Sequence, residues 1–243
     1  MKNKGLIIGL ITFLSVIVIL LSVFFVLLLN GKIGFKNLGF FTKKSKTVIE
    51  EKEFSDTFDS INISSDVSDI TFKVSKTNDI RVVVYGDRKE DKVNFKKDDD
   101  TLNITYKSKK CRFICMRKYT GSIEVYVPDN YSKNITIEND TGDIEINSGR
   151  SIRIRNDVGD IKIKNVDKYL SIRNDVGDIK ITNLNITSDS SIRNDVGDIT
   201  IENASNIKFD AKTDVGEKEI KGNDKKSDIT LEIRNDVGDI EVN

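Results

Sequence analysis

The sequence predicts an all-β fold: a parallel β-solenoid (β-helix-like) of about 17–22-residue rungs, preceded by a single N-terminal transmembrane helix. Three observations predict it. The hexapeptide Asn-Asp-Val-Gly-Asp-Ile stands unchanged at 156–161, 174–179, 194–199 and 235–240, with degenerate copies at 66–70, 139–144 and 213–217. Its glycines, Gly142, Gly159, Gly177, Gly197, Gly216 and Gly238, are spaced 17, 18, 20, 19 and 22 apart, a period that tolerates length changes between copies. Finally, apolar and polar residues alternate with period two on both sides of each glycine.

Residues 1–5 form a short basic tail, and residues 6–29 are the predicted membrane span. Leu6 to Leu29 are apolar apart from Gly9, Thr12, Ser15 and Ser22. As a helix they reach about 36 Å, enough to cross a bilayer with some tilt. The first alanine is Ala204 and the first cysteine Cys111, so neither an Ala-x-Ala cleavage site nor a lipobox accompanies the span. An uncleaved anchor in contact with membrane lipid follows. Flanking lysines are more numerous after the span than before it, which by counting favours a cytoplasmic body. The short basic head before a long apolar run is the usual start of an exported, anchored chain, and an extracellular body is the preferred expectation.

Residues 30–48 read as a basic juxtamembrane linker. Residues 1–46 hold seven lysines and no acid, so in a chain of net charge zero the remainder carries minus seven. Such a body is not a nucleic-acid binder.

Residues 49–138 read as an irregular β region and first rungs, with strands at Ser60–Ile63, Ile70–Val74, Ile80–Tyr85, Thr101–Tyr106 and Ser122–Val127 and a turn at Asp98-Asp99-Asp100. The stretch Lys107–Lys118 interleaves basic residues with Phe113, Ile114 and Met116. It reads as a solvated hairpin tip, or as a contact for anionic lipid, wall polymer or an acidic partner. Four residues of extended strand span about 13 Å, so Cys111 and Cys115 reach one another only if the chain turns between them.

Residues 139–243 are the regular solenoid. Ile152, Ile154, Asn156 and Val158 fall on one side of a strand, Arg153, Arg155 and Asp157 on the other; the parity returns at Leu170–Val176 and Leu231–Val237. A second short strand follows each glycine, as in Asp160-Ile161-Lys162-Ile163. Stacked parallel coils place each residue above its counterpart at about 4.8 Å. The column Asn139, Asn156, Asn174, Asn194, Thr213, Asn235 then forms an inward amide ladder, or else merely bends the turn. The glycine column suits a corner with φ > 0. The acidic residues after it, Asp143, Asp160, Asp178, Asp198, Glu217 and Asp239, form a second acidic column, whose short side chains are placed to accept corner N–H groups. An outer column, Asp140, Asp157, Asp175, Asp195, Asp214 and Asp236, would repel itself by roughly 1 kcal/mol per neighbour in water. The column Glu138, Arg155, Arg173, Arg193, Lys212 and Arg234, basic but for its first member, stands beside it and offsets this. Calcium is an alternative use of the carboxylates, but the paired glycines of calcium-binding nonapeptide repeats are missing. No polar cap follows Ile240, so the C-terminal rung reads as an open edge available for self-association.

The segment Ile123–Pro128, then Ile135-Thr136-Ile137, then Thr141–Ile144 resembles the bacterial β-strand-repeat family of unknown function labelled putative adhesin, LiaG-like and membrane-anchored, over about residues 50–243. The resemblance implies an envelope location, an N-terminal membrane helix and a β-solenoid body. It supplies no catalytic, cofactor-binding or metal residues.

The leading functional expectation is a non-enzymatic, membrane-anchored envelope protein that presents its solenoid for binding or scaffolding, with an envelope protein or polymer as partner. A self-assembling solenoid scaffold is one alternative. The other is a β-helix polysaccharide-active enzyme using a pair such as Asp157 and Asp160. Every rung repeats that pair, whereas catalysis needs one asymmetric site. The chain also has no histidine and no tryptophan. No catalytic site, cofactor or metal is therefore assigned.

Overall fold

The alternation read from the sequence becomes strands, and the repeat becomes their stacking. The computed structural model describes residues 47–86, 91–108, 121–129 and 131–243. The expected membrane helix, most of the basic linker, and Cys111 and Cys115 lie outside the described residues. Among the described residues no helix is long and apolar enough to cross a membrane.

Among the described residues, eighteen strands form one hydrogen-bonded sheet that bends around a shared core. The first six are β1 (Thr47–Phe54), β2 (Ser60–Ser75), β3 (Ile80–Gly86), β4 (Lys92–Asp98), β5 (Thr101–Lys107) and β6 (Gly121–Pro128). The repeat supplies strands in pairs, one before and one after each glycine corner. These are β7 (Asn134–Thr141) with β8 (Ile144–Ile146), β9 (Gly149–Val158) with β10 (Ile161–Ile163), and β11 (Val166–Val176) with β12 (Ile179–Leu184). They continue as β13 (Ser190–Val196) with β14 (Ile199–Ala204), β15 (Lys208–Val215) with β16 (Lys218–Ile220), and β17 (Thr230–Val237) with β18 (Ile240–Val242).

Each repeat strand pairs in parallel with its counterpart one rung away. Asn139 faces Asn156, Asn156 faces Asn174, and Asn174 faces Asn194. Isoleucines stack likewise: Ile144, Ile161, Ile179 and Ile199 form one fully buried column. Burying each such side chain contributes about 1.5–3 kcal/mol, and columns of this kind run the length of the stack.

At the N-terminal side, the long β2 serves as one complete rung, pairing parallel with β7 and β8 on one side and with β5 and β6 on the other. Antiparallel strands then close that end: β4 on β5, β3 on β6, and β1 on β3. The strands expected at Ile80–Tyr85, Thr101–Tyr106 and Ser122–Val127 form as β3, β5 and β6, whereas those expected at Ser60–Ile63 and Ile70–Val74 are two halves of the single long β2. The edge strands β1 and β4 were not read from the sequence, because their outward residues are almost all charged and only Val93 and Phe95 hint at alternation.

The far end departs from expectation. The C-terminal rung, β17 and β18, is not the open edge. It is inserted between β13/β14 and β15/β16, pairing in parallel with both. The exposed end of the stack is therefore 208–220, a segment that precedes the inserted rung in the chain. The ladders decide the order, since Asn235 and Asp239 continue columns that Thr213 and Glu217 terminate.

Candidate functional site

The repeated corner is the feature the sequence invests in most, and its residues divide into inward and outward sets. The inward set begins with the amides. Asn139 donates from Nδ2 to Oδ1 of Asn156 at 3.0 Å, Asn156 to Asn174 at 3.1 Å, and Asn174 to Asn194 at 3.0 Å. All four are buried, and each also approaches a corner glycine carbonyl. The ladder ends in hydroxyls on both sides. Ser65 faces Asn139 at one end, and Thr213 faces Asn235 at the other, donating to the Gly238 carbonyl at 2.9 Å. Between Asn194 and Asn235 the chain of amides breaks. Both side chains donate to the Gly197 carbonyl, and Asn235 Oδ1 is buried without a partner.

The glycine column is required by contact as well as by conformation. Gly177 has φ of 139°, and a Cβ there would lie 2.1 Å from the Gly159 carbonyl oxygen. Each corner therefore packs backbone on backbone.

The aspartate that follows the glycine accepts an amide from the neighbouring rung, not from its own. Asp160 N–H donates to Asp143 at 3.0 Å, Asp178 to Asp160 at 3.0 Å and Asp198 to Asp178 at 2.9 Å. A second asparagine ladder, which the sequence reading missed, runs along the return turns. Asn203 donates to Asn183 at 3.1 Å, and Asn183 to Asn165 at 3.0 Å. The signal was an asparagine six residues after Gly159, Gly177 and Gly197. Asn183 and Asn203 take positive φ there, a conformation asparagine tolerates.

What remains points outward. The outer acidic column, Asp140 through Asp236, lines the corner. Beside it runs a ridge of exposed valines: Val158, Val176, Val196 and Val237 are 44–46% exposed and Val215 is 63% exposed. Parity had placed Val158 inward with Asn156. Val158 is the last residue of β9, directly before the glycine corner, and there the alternation lapses and the side chain faces out. Among the described residues, ion pairs between the basic and outer acidic columns are Arg173–Asp175 at 3.8 Å and Lys212–Asp214. Arg234 instead pairs with Asp210 at 3.0 Å and Glu232 at 3.2 Å. The corner face is thus two acidic columns and a valine ridge, with one basic column alongside.

A separate polar cluster sits near the N-terminal end of the stack. Glu124 accepts from Tyr126 at 2.7 Å and Tyr85 at 3.4 Å and pairs with Lys73 at 2.6 Å. Arg81 lies 4.2 Å above the Tyr126 ring. Burial alone would raise the Glu124 carboxyl, but the Lys73 and Tyr126 hydrogen bonds outweigh it and hold it below the usual carboxylate range. The cluster is internally satisfied and is read as a structural brace. Asp157 and Asp160, the pair considered for catalysis, recur on every rung and are not brought into any asymmetric site.

A family model described as Toastrack DUF4097 matches residues 58–243. No curated protein matches the chain. Among solved structures, a putative cell adhesion protein from Clostridium sporogenes is similar at 11% identity and TM-score 0.50, with 79% of this chain and 98% of that one covered. A putative adhesin from Bacteroides fragilis is similar at 20% identity and TM-score 0.48, covering 80% of this chain and 96% of that one. A putative lipid binding protein from Parabacteroides distasonis is similar at 14% identity and TM-score 0.31, covering 78% and 96%.

Proposed function

The chain belongs to the Toastrack DUF4097 family, and from that membership we propose that it is a non-enzymatic, membrane-anchored envelope protein whose parallel β-solenoid presents the acidic corner face for binding. One observation carries the reading. The inward asparagines, glycines and second aspartates of the repeat are occupied in holding rung to rung, while the outer aspartates, the valine ridge and the arginine column face solvent in register. A periodic acidic surface fits cationic groups on an envelope protein or polymer, because opposed charge arrays steer and align association. Residues 6–29 supply the anchor and the solenoid stands outside the cell. The adhesin descriptions of similar solved structures agree with such a role.

The test uses the full-length protein in detergent micelles, applied to purified cell-wall sacculi and to envelope polymer fractions. Its comparison is a variant with Asp157, Asp175, Asp195 and Asp236 changed to asparagine. Loss of retention with an unchanged or higher melting temperature is expected, since the substitutions relieve repulsion between like charges. Equal retention of both proteins overturns the corner face as the binding surface. Protease digestion of intact cells tests the orientation.

A further inference from the structure

The displaced C-terminal rung is held as an inserted strand. Both of its sides are fully laddered: Leu231, Ile233 and Asn235 pair with Ser190, Ile192 and Asn194 on one side and with Phe209, Ala211 and Thr213 on the other. Its corner amides continue across both boundaries, Asp239 N–H to Asp198 at 2.9 Å and Glu217 N–H to Asp239 at 2.7 Å. With 230–243 withdrawn, a slot one rung wide would open between β13/β14 and β15/β16.

That slot is selective. Its occupant needs a glycine at the corner, because a Cβ on Gly238 would lie 2.1 Å from the Gly197 carbonyl. It needs an aspartate next, to accept the Glu217 amide, and isoleucine beyond it to fill the column between Ile199 and Lys218. These requirements spell the repeat of this chain itself. The connection, 221–229, is mostly polar and exposed, with Ile229 half-buried against the core. Asn223, Asp224 and Ser227 are bonded to residues 206–209 at the edge, bonds that an opening must release. Gly222 in it takes φ of 71° with open space around it. Such a segment is a hinge by composition and conformation.

We propose that the slot is an exchange site: the C-terminal rung of a second copy takes the place of the resident one, joining two molecules by reciprocal strand insertion. Every contact of the resident rung is reproduced by the incoming one, so the exchange is close to neutral in energy and is governed by concentration and by the length of the hinge. The occupant is a second copy because no other partner is required to carry the complete corner motif.

Ser191 and Glu232 face one another across the boundary with their side chains on the outer surface. In a full-length background with Cys111 and Cys115 changed to serine, one tagged protein carries Ser191→Cys and a differently tagged one carries Glu232→Cys. The two are mixed, warmed below the melting temperature, cooled and oxidised with diamide. A covalent heterodimer is expected, and removing residues 224–226 from both copies should raise its yield several-fold by straining the resident arrangement. Ser191→Cys mixed with Asp210→Cys is the control, since Asp210 lies a rung further away in either arrangement. A chain carrying both Ser191→Cys and Glu232→Cys reports that the rung is in place. If that chain cross-links within itself while the mixture yields no heterodimer, or no more than the control, the exchange does not occur and the proposal is overturned.

Discussion

The backbone amide of Asp239 donates to Oδ1 of Asp198 at 2.9 Å, across 41 residues of chain, although Glu217 lies between them in sequence. Glu217 then donates its own amide to Asp239, and it ends the column. Chain order and stacking order therefore differ, and the imperfect copy of the repeat stands at the exposed end. There its substitutions make physical sense. An edge rung has no neighbour to receive an asparagine or aspartate ladder, so Thr213 and Glu217 lose nothing. Lys218 occupies the position of the buried isoleucines and donates back to the Ala211 carbonyl at 2.9 Å. A lysine on an edge strand discourages pairing with another chain.

The interior of the ladder should be far less tolerant than its end. Asn174→Ala removes the acceptor of Asn156 and the donor to Asn194, both buried. Each orphaned group costs about 1–3 kcal/mol, whereas Thr213→Ala at the end should cost less than about 1 kcal/mol. Urea unfolding of the two variants measures the difference. Equal losses would show that the amides only bend the chain and do not bond between rungs.

Glycines separate in the same way. Gly177→Ala drives a Cβ into the Gly159 carbonyl and should cost about 3 kcal/mol or more, or prevent folding. Gly222→Ala meets nothing within 4 Å and carries only the strain of a positive φ, about 1 kcal/mol. Thermal melting and soluble yield report both, and a mild Gly177→Ala would contradict backbone-on-backbone packing at the corner.

Much of this was legible in the residues. Period-two alternation and a glycine recurring every 17–22 residues were enough for parallel registry, since Asn156, Asn174 and Asn194 each stand three residues before that glycine. The order of the last two rungs was not legible. Residues 194–199 and 235–240 are identical, so local pattern cannot say which copy follows which in space. The readable clue was degeneracy: copies that depart from consensus, around Ser65 and Thr213, close the ladder at its two ends. Val158 was misplaced because alternation assumes a regular strand, and it lapses at the last strand residue before the glycine corner. For the candidate face, charge columns were visible in sequence, but which aspartates were spent on amides was a matter of geometry.

The loop over the exposed edge should keep the stack from growing. Asn223 accepts from the Phe209 amide at 3.1 Å and donates to the Phe209 carbonyl at 3.4 Å, occupying both groups that another strand would use. Asp224 and Ser227 tie the same loop to the carbonyls of Ile207 and Asn206. Asn223→Ala frees the Phe209 groups, and concentration-dependent association is expected in sedimentation velocity where the parent shows less. Indistinguishable profiles would mean that Asn223 does not guard the edge.

The Glu124 brace should show itself in the pH dependence of stability. Its carboxyl is held below the ordinary value of 4.5, with hydrogen bonds from Lys73 and Tyr126 outweighing burial. A depressed carboxylate contributes stability that is present above that ordinary value and is lost as pH falls through the folded one. Glu124→Gln keeps the shape but gives up the charge, and at pH 7 it should cost about 1.5–3 kcal/mol, the range for hydrogen bonds to charged groups. As pH falls below 4.5 and on through the depressed folded value, the parent's advantage shrinks, so the two melting temperatures should draw together in acid. Because Lys73 is raised by the same contact, it stays charged throughout that window and adds no opposing slope. Melting curves at pH 7, 5 and 3 decide it: a gap that persists unchanged at pH 3 would assign the loss to packing and not to the ionised carboxylate.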